Sequence, residues 1–134
     1  MTAKINKKQS LLCVLEILRE YSDNKHILKQ SQLLDLVEIN YDLKIDRRTL
    51  YSNIDLLKQF GYDISDFNDN GFGYYLNERT FSSYDMNLIV DAILKDDTAS
   101  SKAKARIITT IEGMCSKYNK RKIRARVQAY SYKK

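Results

Sequence analysis

Arg47, Arg48, Thr49, Tyr51 and Ser52 fall within six residues of the stretch DRRTLYSNIDLLKQFGYDI, residues 46–64. An arginine can hold a guanine edge bidentately, and Thr and Ser suit phosphate oxygens or the thymine methyl. Those chemistries belong to a DNA groove, and residues at the N-terminal end of a recognition helix are the ones that reach base edges. The plainer reading is a solvated helix face behind an Asp-Arg cap. Further along, NDNGFG places Asn70 and Phe72 where they could touch a sugar-phosphate backbone, although Phe72 could equally pack on a neighbouring sheet. A third set lies near the end: Lys117, Lys120, Arg121, Lys122, Arg124 and Arg126, with Tyr118, Tyr130 and Tyr132 among them. The cations could neutralise phosphates and the tyrosines could stack on single-stranded bases. They could also form a solubilising tail or a surface for an acidic protein.

Catalytic chemistry is poorly provided for. The chain has 1 His and 2 Cys. His26 has no nucleophile motif beside it, and too few ligands exist for a zinc site. Cys13 and Cys115 sit inside helical apolar patterns and read as buried free thiols. Gly71 and Gly73 are too few for a phosphate cradle and read as a turn. No catalytic residue, metal or cofactor is expected.

The elements that would position these residues follow from periodicity. Lys8–Tyr21 reads as a helix on Leu11, Leu15 and Leu18, widened by Leu12, Val14 and Ile17. Gln30–Tyr41 reads as a second helix with Leu33, Leu34, Leu36 and Val37, weakly capped because Lys29 stands at its start. Asp46 caps a third, whose Leu50, Ile54 and Leu57 form the buried stripe and whose stop is Gly61. A hairpin follows, with Ile64 before and Gly73–Leu76 after a turn-rich loop. Ser82 and Asp85 stand at capping-box spacing before Met86, Ile89, Val90, Ile93 and Leu94. Lys102–Tyr118 reads as a fifth helix with Ile107, Ile108, Ile111, Met114 and Cys115 inward. At the end, Ile123, Ala125, Val127 and Ala129 alternate with polar residues, which predicts a strand.

The fold class expected is therefore mainly α with a small β-hairpin wing: a winged helix-turn-helix over residues 1–80, a helical linker or dimerisation region over 81–118, and a basic tail with a terminal strand over 119–134. The tail is expected to be removable without unfolding the helices. The net charge is +6, but it is unevenly placed: residues 46–99 hold 5 basic and 10 acidic side chains, and residues 100–134 hold 11 basic and 1 acidic. Charge therefore points to nucleic acid first through the end of the chain. With no long apolar run and no targeting pattern, the expected location is cytoplasmic, away from membranes.

The run Asp46, Arg47, Arg48, Thr49, Leu50, Tyr51, then Ile54, Leu57, Gly61, Tyr62, Asp63 and Ile64, followed by Gly71, Gly73, Tyr74, Tyr75 and Leu76, resembles the N-terminal part of the WYL-domain transcriptional regulators. The stretch FSSYDMNLIVDAIL is similar to the linker helix that follows the wing in that bacterial family. The resemblance implies double-stranded DNA as ligand, with Arg47, Arg48, Thr49, Tyr51 and Ser52 on the recognition helix and Asn70 and Phe72 on the wing. Ser52 and Asn53 replace the family's usual Arg-Asp, which removes one phosphate contact, and the wing lacks an arginine. The family's sensory domain, named for a Trp-Tyr-Leu motif, has no counterpart in this Trp-free sequence.

Two function classes remain. One is a sequence-specific transcriptional regulator without a sensor domain, acting as a homodimer. The other is a protein- or nucleic-acid-directed inhibitor of a partner nucleic-acid machine, encoded by a mobile element in the manner of anti-CRISPR proteins. The D-R-R-T-L-Y run favours the first. The negative middle of the chain favours the second, with RNA or an acidic protein as partners of the basic tail.

Overall fold

The computed structural model describes residues 8–77 and 81–132, without the side chain of Tyr132. They form seven helices and one two-stranded antiparallel sheet. The chain divides into two compact units, residues 1–77 and 78–134.

In the first unit, α1 (Ser10–Tyr21), α2 (Gln30–Tyr41) and α3 (Arg47–Gln59) precede a hairpin of β1 (Ile64–Ser65) and β2 (Tyr75–Leu76), with a helical turn α4 (Phe67–Asn70) in its loop. The core joins Val14, Ile17 and Leu18 of α1 to Leu33 and Val37 of α2 and Leu50, Ile54 and Leu57 of α3. Leu12, expected to widen the stripe of α1, points outward. The Lys29 ammonium cannot accept a hydrogen bond, and Gln32 supplies the cap of α2 by accepting from the Lys29 N–H at 2.8 Å.

The hairpin pairs Ile64 with Leu76 and Ser65 with Tyr75. One further rung, between Leu28 and Tyr74, ties it to the segment before α2 through N–H···O bonds of 2.8 and 2.7 Å. Gly73 permits that approach, because a Cβ there would collide with the Leu28 carbonyl. The buried Ser22 hydroxyl donates to the Leu18 carbonyl and accepts from the Leu76 N–H, anchoring the hairpin to α1.

In the second unit, α5 (Ser83–Lys95), α6 (Ser101–Glu112) and α7 (Lys117–Tyr132) surround Met86, Val90, Ile108, Ile111 and Ile123. Ser82 and Asp85 form the expected reciprocal cap. The fifth helix does not run to Tyr118: it stops at Glu112, a tight turn carries Gly113–Cys115, and Ser116 caps a new helix by accepting from the Asn119 N–H. Met114, expected inward, is on the surface as a result, and Ile107 lies on the outer side of α6.

The terminal strand is a helix. Ile123, Val127 and Tyr130 repeat at i, i+4 and i+7 and are the side chains α7 turns inward, with Ile123 only 1% exposed. The alternation was carried by Ala125 and Ala129, which are small enough to lie on a helix surface. Lys, Arg, Ala and Gln favour helix, and a helix satisfies its own backbone groups where a lone strand would need a partner. The segment is thus part of a core and not a tail. Lys133 and Lys134 lie outside the described residues.

Candidate nucleic-acid interface

Asp46 Oδ1 accepts from the Thr49 N–H at 2.8 Å, which fixes the start of α3 and leaves Arg47 and Arg48 in its first turn. Leu50, Asn53, Ile54 and Leu57 take the inner face. Arg47, Arg48, Tyr51 and Ser52 are exposed, and Thr49 is half-buried. The far end closes as a Schellman turn. Gly61 has φ +99, its N–H reaches the Lys58 carbonyl, and the Tyr62 N–H reaches that of Leu57.

Asn53 is no surface residue. Its Nδ2 donates to Ser10 Oγ at 3.0 Å inside the core. Of the two replacements relative to the WYL pattern, only Ser52 changes the outer face.

The Asn70 amide is fully engaged within the loop. Its Oδ1 accepts from the N–H groups of Phe72 (2.7 Å) and Gly73 (2.9 Å), and its Nδ2 donates to Ser65 Oγ and the Gly73 carbonyl. It shapes the loop that presents Phe72, which is 69% exposed. Phe67, 60% exposed, stands in the same loop. Sequence reasoning left it unassigned, although Asp66 and Asp69 stand at the spacing of the capping box they form around α4. Gln30 was also missed; no sequence signal marks it, yet its Oε1 accepts from the Tyr51 hydroxyl at 3.1 Å.

Gln30, Phe67 and Phe72 line both of two open clefts. The cleft of about 540 Å³ is bounded by Tyr51, Asp55 and Asp66. The cleft of about 490 Å³ is bounded by Lys29, Ser31 and Arg47. One side of the aromatic ridge is therefore acidic and the other basic. Lys58 holds Asp66 at 2.6 Å and keeps its carboxyl below the usual carboxylate range. Burial raises the Tyr74 hydroxyl at the floor of the first cleft to about 12, so it stays neutral.

On α7 the six cations separate into classes. Arg124 Nε contacts Glu112 Oε2 at 2.7 Å, and Arg126 Nη1 contacts both Asp91 oxygens at 2.9 and 3.1 Å. These two clip α7 to α6 and α5. Lys117 Nζ lies 5.2 Å over the Tyr118 ring. Lys120 is half-buried, and Arg121 and Lys122 face outward. Tyr118 and Tyr130 are half-buried, which leaves little ring face for stacking.

No helix among the described residues is long and apolar enough to cross a membrane. No family model matches the chain, and no curated protein or solved structure is significantly similar to it.

Proposed function

We propose that the first unit is a winged helix-turn-helix module and that the protein is a sequence-specific DNA-binding regulator. The observation that carries this reading is the donor-rich start of α3, with Arg47, Arg48, Tyr51 and Ser52 exposed on one side. Beside it, Lys29, Ser31 and Arg47 border one cleft, where a phosphate finds two cations and a hydroxyl. The exposed Asp55 repels phosphate from the other cleft, where Asp66 is already paired with Lys58, so the backbone is directed to one side of Phe72. Arg48 and Ser52 face base edges, Tyr51 is held by Gln30, and Asn70 acts through the loop it shapes.

Reading a palindromic site takes two copies. On α5, Tyr84 (74% exposed), Leu88 (59% exposed) and the exposed Ala92 follow each other at i, i+4 and i+8. Two such helices crossing antiparallel about Leu88 set each Tyr84 against the small Ala92 of the other copy.

The exposed Phe67 and Phe72 beside Asp55 and Asp66 favour the second reading, in which the acidic cleft grips a basic protein partner and the chain inhibits that partner's nucleic-acid machine.

The test is selection of duplexes from a random pool, followed by titration of the enriched duplex. Arg48→Ala should weaken that complex by about 1–3 kcal/mol and leave the melting temperature unchanged. If the pool yields no enriched duplex, the DNA reading is wrong and the acidic cleft becomes the surface to probe.

A further inference from the structure

Within the second unit, α7 carries six Lys and Arg residues and no acid. The carboxylates that reach α7, Glu112 and Asp91, are both taken by Arg124 and Arg126. Asp85 is spent on the cap of α5, and Asp96 turns its oxygens to the N–H groups of Thr98 and Ala99. Of the unit's described carboxylates only the exposed Asp97 is uncommitted, and neither Arg121 nor Lys122 forms an ion pair with it.

That side is well defined. Ile123, Val127 and Tyr130 point into the unit, so Arg121, Ala125 and Gln128, at i, i+4 and i+7, point away from it. Lys122 and Ala129 flank them and are also exposed. Arg124 and Arg126 lie at the two sides and hold the helix by its clips, so the outward face is presented on a fixed rod. We infer that this face of α7 is a second contact for double-stranded DNA, made by Arg121 and Lys122 on phosphates with Gln128 two turns further along.

The inference rests on the reading of the chain as a duplex-DNA binder but uses different residues. Charge commits the face to a polyanion. A 16-residue helix is about 24 Å long, and a major groove about 12 Å wide admits one. Ala125 and Ala129 let the rod lie close to a surface, and Gln128 is of a type that can pair bidentately with adenine. Stacking on single strands needs open ring faces, and those of Tyr118 and Tyr130 are half-buried.

The experiment compares the full chain with Arg121→Gln/Lys122→Gln, titrating a random-sequence duplex over a range of salt. Both changes keep good helix formers on an exposed face, and an unchanged melting temperature checks the fold. Two lost phosphate contacts should flatten the slope of log affinity against log salt by about 1.8. A second variant, Ala125→Glu, sets an acid in the middle of the face and should lower duplex affinity at least tenfold at low salt. If both variants bind as the parent does while Arg48→Ala still loses the enriched duplex, the α7 proposal fails alone. If the parent shows no salt-dependent duplex binding, both readings fail. If the variants lose a single strand or an RNA duplex more than they lose duplex DNA, the assignment to double-stranded DNA is overturned.

Discussion

Lys58 Nζ lies 2.6 Å from Asp66 Oδ2, and that contact joins the last turn of α3 to the cap of the helical turn in the hairpin loop. The pair ties the hairpin loop to the end of α3. The bond to Lys58 is the main cause lowering the Asp66 carboxyl, and the same bond raises the Lys58 ammonium. A depressed carboxylate stabilises fully above its ordinary value of about 3.9, and that stability is lost as pH falls through the folded value. The raised ammonium contributes fully below about 10.4 and loses its share as pH rises through its own folded value. Both side chains are partly solvated, so the pair contributes about 0.2–1 kcal/mol. Asp66→Asn keeps a good cap and loses the charge. Its urea midpoint should fall below that of the parent at pH 7, and the gap should narrow below about pH 4. An equal gap at both pH values would mean that the charge pair contributes nothing.

Asn53 ties α3 to α1 from its buried face. Asn53→Ala removes the buried donor to Ser10 Oγ, at a cost of about 1–3 kcal/mol. Asp55→Ala, two residues on and exposed, should stay within about 0.5 kcal/mol of the parent. Chemical denaturation of the two variants separates them. Equal midpoints would show that the Asn53–Ser10 contact is energetically idle.

The first unit was legible because its signals are local and agree with one another. Asp46, the 50/54/57 stripe and Gly61 each fix one part of α3, and each stands where expected. The rung between Leu28 and Tyr74 was not legible, since nothing in KHILKQ marks a partner 46 residues on. In the second unit the end of the chain misled for a physical reason. Ile123, Ala125, Val127 and Ala129 fit period two, while Ile123, Val127 and Tyr130 fit period 3.6, and a short window satisfies both. What decides between them is the groove between α5 and α6 that receives Ile123, and that groove exists only in three dimensions. The free face of α3 was readable by subtraction from its buried stripe. The engagement of Asn70 and of Arg124 and Arg126 was not, because their partners are set by tertiary geometry.

The helical assignment of α7 makes its removal costly. Ile123→Ala should destabilise the second unit by about 2–5 kcal/mol, the usual range for truncating a buried isoleucine. Deleting residues 117–134 removes Ile123 and Val127 together and should abolish protection of the α5 and α6 amides in hydrogen exchange. The expectation of a dispensable tail would be rescued if those amides stayed protected in the truncated chain.

The stripe on α5 yields a test of assembly. Leu88 is 59% exposed and sits between Tyr84 and Ala92, where a second copy would place its own Leu88. A glutamate there would set two like charges face to face at the two-fold axis, in surroundings drier than water, where repulsion is strong. Leu88→Glu should therefore sediment as a monomer at concentrations where the parent sediments as a dimer. Leu12→Glu is the matched control: Leu12 is 63% exposed on α1, and the same change of side chain should leave the parent mass intact. A monomeric parent would remove the dimer from the proposal, and a dimer that survives Leu88→Glu but not Leu12→Glu would move the interface to α1. If Leu88→Glu is monomeric, its affinity for the enriched duplex should fall at least tenfold, because each half-site then binds without its neighbour.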